Sequence, residues 1–264
     1  GRRHVWHIRE FGDPPLQHDW GVRLFRWALN RASAKVAVSN AVRSHVLPAE
    51  LAQNSHVIYN GIAFEHEFDR FRARKEIARK KSRDFTFAVL GLVAPWKGQE
   101  EAIMALAEVA KADGHVRLLV AGGSHEGYLD AYKDAAIRLG IADKVEFLGY
   151  VDDPYEVYFQ ADAVLVCARI EGMGRVAVEA MSACCPVIGF DAGGTSELIQ
   201  DGETGLLYRG GADELADCML RLVRDRAKAR ELGLCGWYAA REHYTIERYA
   251  GQFHNVLVSV CRER

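Results

Sequence analysis

The sequence predicts an α/β protein built on a doubly wound parallel sheet. Three observations carry this. Short apolar runs, residues 85–90 and 116–121 among them, alternate with longer segments whose apolar residues recur at helical spacing. Most of the 24 glycines fall between apolar runs, where each strand must turn tightly into a helix. Residues 161–190 read as strand, glycine turn, helix and strand, the plan of an anion-binding βαβ unit.

Each element follows from its residues. Residues 4–8 read as a short strand. Residues 19–31 read as a helix, with Val22, Phe25, Trp27 and Leu29 giving its apolar faces. A strand at 34–38, a short helix at 41–47 and a strand at 56–59 follow, closed by the turn dipeptide Asn60-Gly61. The stretch to Asp84 is highly charged and reads as a connection holding a short helix.

A second α/β run begins at Phe85. Strands are expected at 85–90, 116–121 and 144–148. Helices are expected at 99–111, 127–139 and 154–160, with Leu129, Tyr132, Ala136 and Leu139 spaced helically in the second. An apolar strand at 161–167 leads into Glu171-Gly172-Met173-Gly174-Arg175, then a helix carrying Glu179, then a strand at 186–190. Helices dominate from Ala212 onward. Thr245 can cap the last, which has Ile246, Tyr249, Phe253, Val256 and Val260 on one apolar side. Strands spaced by helices argue a parallel sheet with right-handed crossovers.

Composition narrows the function. The 264 residues are 49% hydrophobic and 27% charged with a net charge of -2, which gives no positive feature for nucleic-acid binding. No apolar run approaches the roughly 18 residues of a membrane helix. The six cysteines show no C-x-x-C pair and no ligand spacing with histidine, so reduced thiols are expected. No metal cluster is visible.

The chemistry concentrates at the 171–179 turn. Glycines let the backbone approach an anion, and the first amides of the helix point at it with the positive end of the helix dipole. Glu171 sits before the helix, at the mouth. Glu179 lies eight residues on, one and a half to two turns inside, and can reach across the turn.

This stretch resembles the E-x7-E signature of retaining GT-B glycosyltransferases of family 4, the glycosyl transferases group 1. Further matches run in that family's order: Asn60-Gly61, Gly91 through Lys97-Gly98, residues 147–151, Gly193-Gly194-Thr195-Ser196-Glu197, and Asp201 through Leu206. The resemblance covers Val57 to the end well and the first 59 residues more loosely. It implies a Rossmann-like donor-binding domain at 85–244, a linker at 61–84 and a crossover helix at 245–264. Residues 1–60 would be the tail of an incomplete, Rossmann-like acceptor domain, and the chain a fragment inactive alone. Part of the last helix's apolar side would then lack its partner, leaving a sticky or dimeric chain.

The resemblance also assigns roles. Glu171 would face the donor sugar near its anomeric carbon. The amides of Gly172, Met173, Gly174 and Arg175 would hold the donor phosphates, and Glu179 would accept hydrogen bonds from the ribose hydroxyls. Lys97, on the loop after Gly91, would neutralise the diphosphate leaving group. The family's usual arginine after that glycine is replaced by Leu92, which leaves Arg175 as a substitute cation. The Val151 backbone would meet the base edge, and Thr195 and Glu197 would support the donor site. His7 and Arg9 share one strand face. The family's histidine position falls on Arg9, so no histidine is assigned as general base.

The implied donor is a nucleoside diphosphate sugar. The implied acceptor is a glycan or lipid-linked sugar. Without an Asp-x-Asp signature, a metal-independent reaction is expected. Polysaccharide biosynthesis in the cytoplasm, at the inner face of the membrane, is the family-level setting. Arg23, Arg26 and Arg31 beside Trp20 and Trp27 offer a peripheral membrane contact, with packing the stronger reading.

Two rivals stand beside this. Gly172-x-Gly174-x-x-Ala177 also fits the GxGxxA fingerprint of an NAD-dependent dehydrogenase, with Asp191 ending the next strand. That fingerprint belongs on the first strand of its domain, whereas about three strands precede it here, and it leaves Glu171, Glu179 and Lys97 unexplained. The other rival is a non-catalytic nucleotide-sugar binding half.

Overall fold

Strands buried on both faces force helices onto both sides of a sheet. The computed structural model, which describes residues 3–11, 19–79, 83–125 and 127–262, contains two such sheets. The first holds β1 (Val5–Ile8), β2 (Ala34–Ala37) and β3 (His56–Val57), all parallel and in that order, with Val5 opposite Ala34. Between them run α1 (Asp19–Arg31), α2 (Asn40–Val46) and α3 (Ala49–Ala52). A helix α4 (Glu65–Ala78) leads to the second sheet.

That sheet has six parallel strands. In chain order the elements are β4 (Phe85–Leu90), α5 (Gln99–Ala112), β5 (Val116–Ala121), α6 (Tyr128–Arg138), β6 (Val145–Gly149), α7 (Tyr155–Gln160), β7 (Ala163–Val166), α8 (Arg175–Ser182), β8 (Val187–Phe190), α9 (Thr195–Leu198) and β9 (Leu206–Tyr208). Three helices close the chain: α10 (Gly211–Arg224), α11 (Arg226–His243) and α12 (Ile246–Arg262). The spatial order is β6-β5-β4-β7-β8-β9. The chain winds outward from β4 in one direction and from β7 in the other. The switch point lies between β4 and β7, whose residues Val89 and Leu165 are paired.

Most expected elements are present. The chief departures have local causes. The charged stretch before Asp84 is a 14-residue helix rather than a connection around a short one. Its buried residues Phe68, Phe71 and Lys75 form a helical stripe against the second block, while its other charges face water. The indole of Trp237 donates to the Phe68 carbonyl at 3.1 Å, and the Lys75 ammonium donates to the Tyr158 carbonyl at 2.7 Å. β9 is a three-residue edge strand, too short for a periodic signal.

The last helix keeps its partner. Val256 and Val260 are buried with Ala34, Val36 and Ile58 of the first block, and Tyr249 and Phe253 pack beside them. α12 crosses back onto the three-stranded sheet, and the residues named for its apolar side are buried or half-buried. Thr245 caps it as expected, its hydroxyl accepting from the Arg248 amide at 3.2 Å. A continuous apolar cluster joins the blocks, running from Ile8, Val38 and Val42 to Met173, Ala177 and Met181. All six cysteines are free.

Candidate functional site

The carboxyl ends of β4 and β7 meet at the switch point, and each delivers a loop there. The loop after β4 carries Gly91 and, in a single 3-10 turn at Pro95–Lys97, Lys97. The loop after β7 carries Glu171. Their side chains form an ion pair, both partly exposed. The pair sits in a cleft of about 1070 Å³. One wall has Trp96, Lys97, Arg169, Ile170, Glu171 and Gly193, and the facing wall has Glu10, Phe11, Ser44 and His45 from the first block.

Glycine shapes the turn beneath Glu171. A Cβ on Gly172 would meet the Arg9 carbonyl oxygen at 2.7 Å, so only glycine lets the turn approach the end of β1. The Ser39 hydroxyl donates to the Gly172 carbonyl at 2.6 Å. Gly174 precedes α8 in the left-handed region (φ 83°), and no side chain caps this helix. The Ala177 amide donates to the Gly174 carbonyl at 3.0 Å, and the Arg175 and Val176 amides before it face outward along the helix axis.

Glu179 lies about one turn into α8, four residues after Arg175, nearer the N-terminus than the sequence spacing suggests. Arg175 donates to its Oε1 at 3.2 Å, and the Tyr158 hydroxyl donates to its Oε2 at 2.8 Å. Burial first, then the Glu179 charge, push the Tyr158 phenol well above its ordinary range. It is a permanent donor to the carboxylate. The neighbouring Tyr155 phenol is pushed up to about 12, chiefly by burial.

The side chains of the other expected site residues make contacts outside the cleft. Met173 is buried, and its sulfur accepts from the Asn60 amide at 3.2 Å, so its side chain serves packing. Thr195 is fully buried under Gly174, and its hydroxyl has no partner among the described residues. Glu197 is turned to the first block rather than to the cleft. Its carboxylate accepts from the Asn40 and Ala41 amides at 2.8 and 2.6 Å and from the Tyr59 hydroxyl at 2.5 Å. It therefore holds the N-terminus of α2. Val151 is half-buried and packs beside the core.

His7 does not line the cleft. Its ring packs against Phe253 at 5.2 Å and Tyr249 at 6.4 Å, on the α12 side of the first sheet. Burial, with Arg9 second, lowers its pKa, and its Nε2 has no partner among the described residues. Arg9 is exposed at the end of β1, where its carbonyl touches the Gly172 turn. Leu92 is 41% exposed and offers no charge.

The sequence reading missed Arg169, two residues before Glu171. It lines the cleft, pairs with Glu101 at 3.1 Å and lies over the Phe190 ring at 4.5 Å. Its place at the end of the β7 run was the available signal. His45, Ser44 and Glu10 were missed because their partners are distant in sequence. Among the described residues, no group of three or more His, Cys, Asp and Glu could hold a metal ion. No helix among them is long and apolar enough to cross a membrane. The side chains of Trp20 and Arg26, named for a membrane contact, lie outside the described residues.

Two parallel α/β blocks facing each other across a switch-point cleft define a GT-B architecture. Residues 70–234 match the family of glycosyl transferases group 1, and the chain belongs to it. It is similar to the D-inositol 3-phosphate glycosyltransferase of Nocardia farcinica, 36% identical over 176 residues that cover 63% of this chain and 38% of the relative. It is also similar to a GDP-mannose-dependent alpha-(1-6)-phosphatidylinositol monomannoside mannosyltransferase of Mycobacterium tuberculosis, 34% identical over 193 residues covering 66% of this chain and 49% of the relative. The chain thus spans less than two thirds of the length of these relatives. Among solved structures, HepE from Anabaena in complex with UDP superposes with a TM-score of 0.85 at 26% identity, covering 98% of this chain and 72% of that one. Neither the family nor these relatives favour the dehydrogenase reading.

Proposed function

We propose that this chain is the donor-binding half of a retaining glycosyltransferase. It would take a nucleoside diphosphate sugar and pass the sugar to an acceptor hydroxyl. The observation that carries the reading is the pair of carboxylates, Glu171 and Glu179, on either side of an uncapped glycine turn, with Lys97 against the first. The order matches what such a donor presents: sugar, two phosphates, ribose. Glu171 meets the sugar hydroxyls, the α8 amides and Lys97 meet the diphosphate, and Glu179 meets the ribose. The HepE complexes with UDP and with UDP-glucose support this ligand class.

In the reaction the bond from the anomeric carbon to the diphosphate oxygen breaks. The bond to the acceptor oxygen forms on the same face. The acceptor proton passes to the leaving diphosphate, whose charge Lys97 neutralises. Arg175 supplies the second cation that Leu92 lacks. No metal takes part in this transfer as proposed. The facing wall of Glu10, Ser44 and His45 suits a hydroxyl-rich acceptor, a glycan or lipid-linked sugar. The membrane setting rests on α1, where Leu24 and Trp27 are exposed and the Arg31 guanidinium lies 4.5 Å from the Trp27 ring centroid.

Calorimetric titration with UDP, GDP, ADP and NAD tests the reading. One nucleoside diphosphate should bind, more tightly than its monophosphate, and Glu179→Ala should weaken that binding. Lys97→Ala should weaken the diphosphate more than the free nucleoside. Binding of NAD alone would overturn the proposal.

A further inference from the structure

A glutamate on a helix surface turns about three side-chain bonds. Two vicinal hydroxyls need both carboxylate oxygens presented in one plane, so something must fix that plane. Tyr158 is built for this. It belongs to α7, packed against α8, and is fully buried. Its hydroxyl reaches Glu179 Oε2 at 2.8 Å, from the side opposite solvent, while the exposed Arg175 takes Oε1 at 3.2 Å. Each oxygen accepts one hydrogen bond in this arrangement and keeps room for another.

A second tyrosine steadies the backbone of the same residue. Tyr155 lies edge-on to Tyr158, with ring centroids 5.6 Å apart. Its hydroxyl lies 2.9 Å from Ser182 Oγ, and that serine donates to the Glu179 carbonyl at 2.7 Å. Phe71 of α4 stacks on Tyr155 with centroids 4.2 Å apart. The side chain and the carbonyl of Glu179 are thus both held from α7.

We propose that Tyr158 is a positioning residue that fixes the Glu179 carboxylate for the vicinal hydroxyls of a ribose, and so makes nucleotide binding selective for ribonucleotides. The inference rests on the reading of Glu179 given above. Tyr158 touches no ligand itself; it acts through the orientation of one carboxylate.

The test compares UDP and GDP with their 2′,3′-dideoxy forms by calorimetry, for the wild type, Tyr158→Phe and Glu179→Ala. Tyr158→Phe should weaken the ribonucleotide about tenfold, the size of one well-placed hydrogen bond, and leave the dideoxy form unchanged. Glu179→Ala should remove the preference altogether. The ratio of the two affinities is read within each variant, so a change in active fraction cancels. Tyr158→Met, which also removes the donor, replaces the phenylalanine variant if that one does not fold. If Tyr158→Phe keeps the ribonucleotide affinity, or lowers both affinities equally, while Glu179→Ala loses the preference, the inference fails and the ribose reading stands. If Glu179→Ala keeps the wild-type preference for the ribonucleotide, the ribose reading fails and takes the inference with it.

Discussion

A histidine near a cleft invites a catalytic role, and His7 shows how packing decides otherwise. Strand alternation turns it to the α12 side, between Tyr249 and Phe253, while Trp6 goes to the other face with Phe25. Burial there lowers its pKa below 6.5, so the folded chain binds its proton less readily than the unfolded chain does. The unfolded state therefore holds more protons as pH falls through 6.5, and the folded state loses stability over that window. We predict that the thermal midpoint of the wild type falls between pH 7 and pH 5 more steeply than that of His7→Phe, which keeps the aromatic contact without the titration. Parallel curves would show that His7 contributes nothing to the acid limb. Glu171 and Glu179 stood out because they bracket one turn between a strand and a helix, whereas Lys97 lies 74 residues before Glu171 and was named only through the resemblance. His45 was less readable, because it joins the cleft from the first block, whereas Arg169 shares the loop of Glu171 and was passed over.

The short helix α2 depends on groups outside itself. Seven residues are too few for a helix to persist alone in water. Its N-terminus is held by the Ser39 hydroxyl, which accepts from the Val42 amide at 3.1 Å, and by the Glu197 carboxylate, which takes the Asn40 and Ala41 amides. Glu197 follows Gly193-Gly194 in a stretch that reads as donor support, and no local pattern says that its partner is a helix more than 150 residues earlier. Most strands and helices were legible because their periodicity is local; this clasp was not, because it exists only after the two blocks meet. Glu197→Ala should leave the Asn40 and Ala41 amides short of a charged acceptor and cost about 1–3 kcal/mol of stability. The loss should read as a lower denaturant midpoint and faster amide exchange across residues 40–46. Unchanged exchange there would mean that the contact contributes no order to α2.

For the molecule as a whole, α12 ties the two blocks together. Its start is anchored at the hinge, where the Ile246 amide donates to the Ala63 carbonyl at 2.9 Å and Ile62 donates to the Tyr244 carbonyl at 2.9 Å. Its far end lies on the first sheet, with Val256 and Val260 buried against Ala34, Val36 and Ile58. The first sheet has three short strands, which need such a cover to persist. The six-stranded sheet has its own apolar cluster, from Phe85 and Leu106 to Leu215 and Leu222. A carboxylate placed under α12 should therefore act unevenly. Val260→Asp should strip exchange protection from residues 34–37 while residues 116–121 keep theirs. It should also weaken nucleotide binding at a distance, because the Gly172 turn rests on the Arg9 carbonyl and the Ser39 hydroxyl of that same first sheet. Loss of protection in both sheets together would show one cooperative unit. Loss in the first sheet with nucleotide affinity intact would show that the turn keeps its shape without the block that touches it, and that the six-stranded sheet alone builds the donor site.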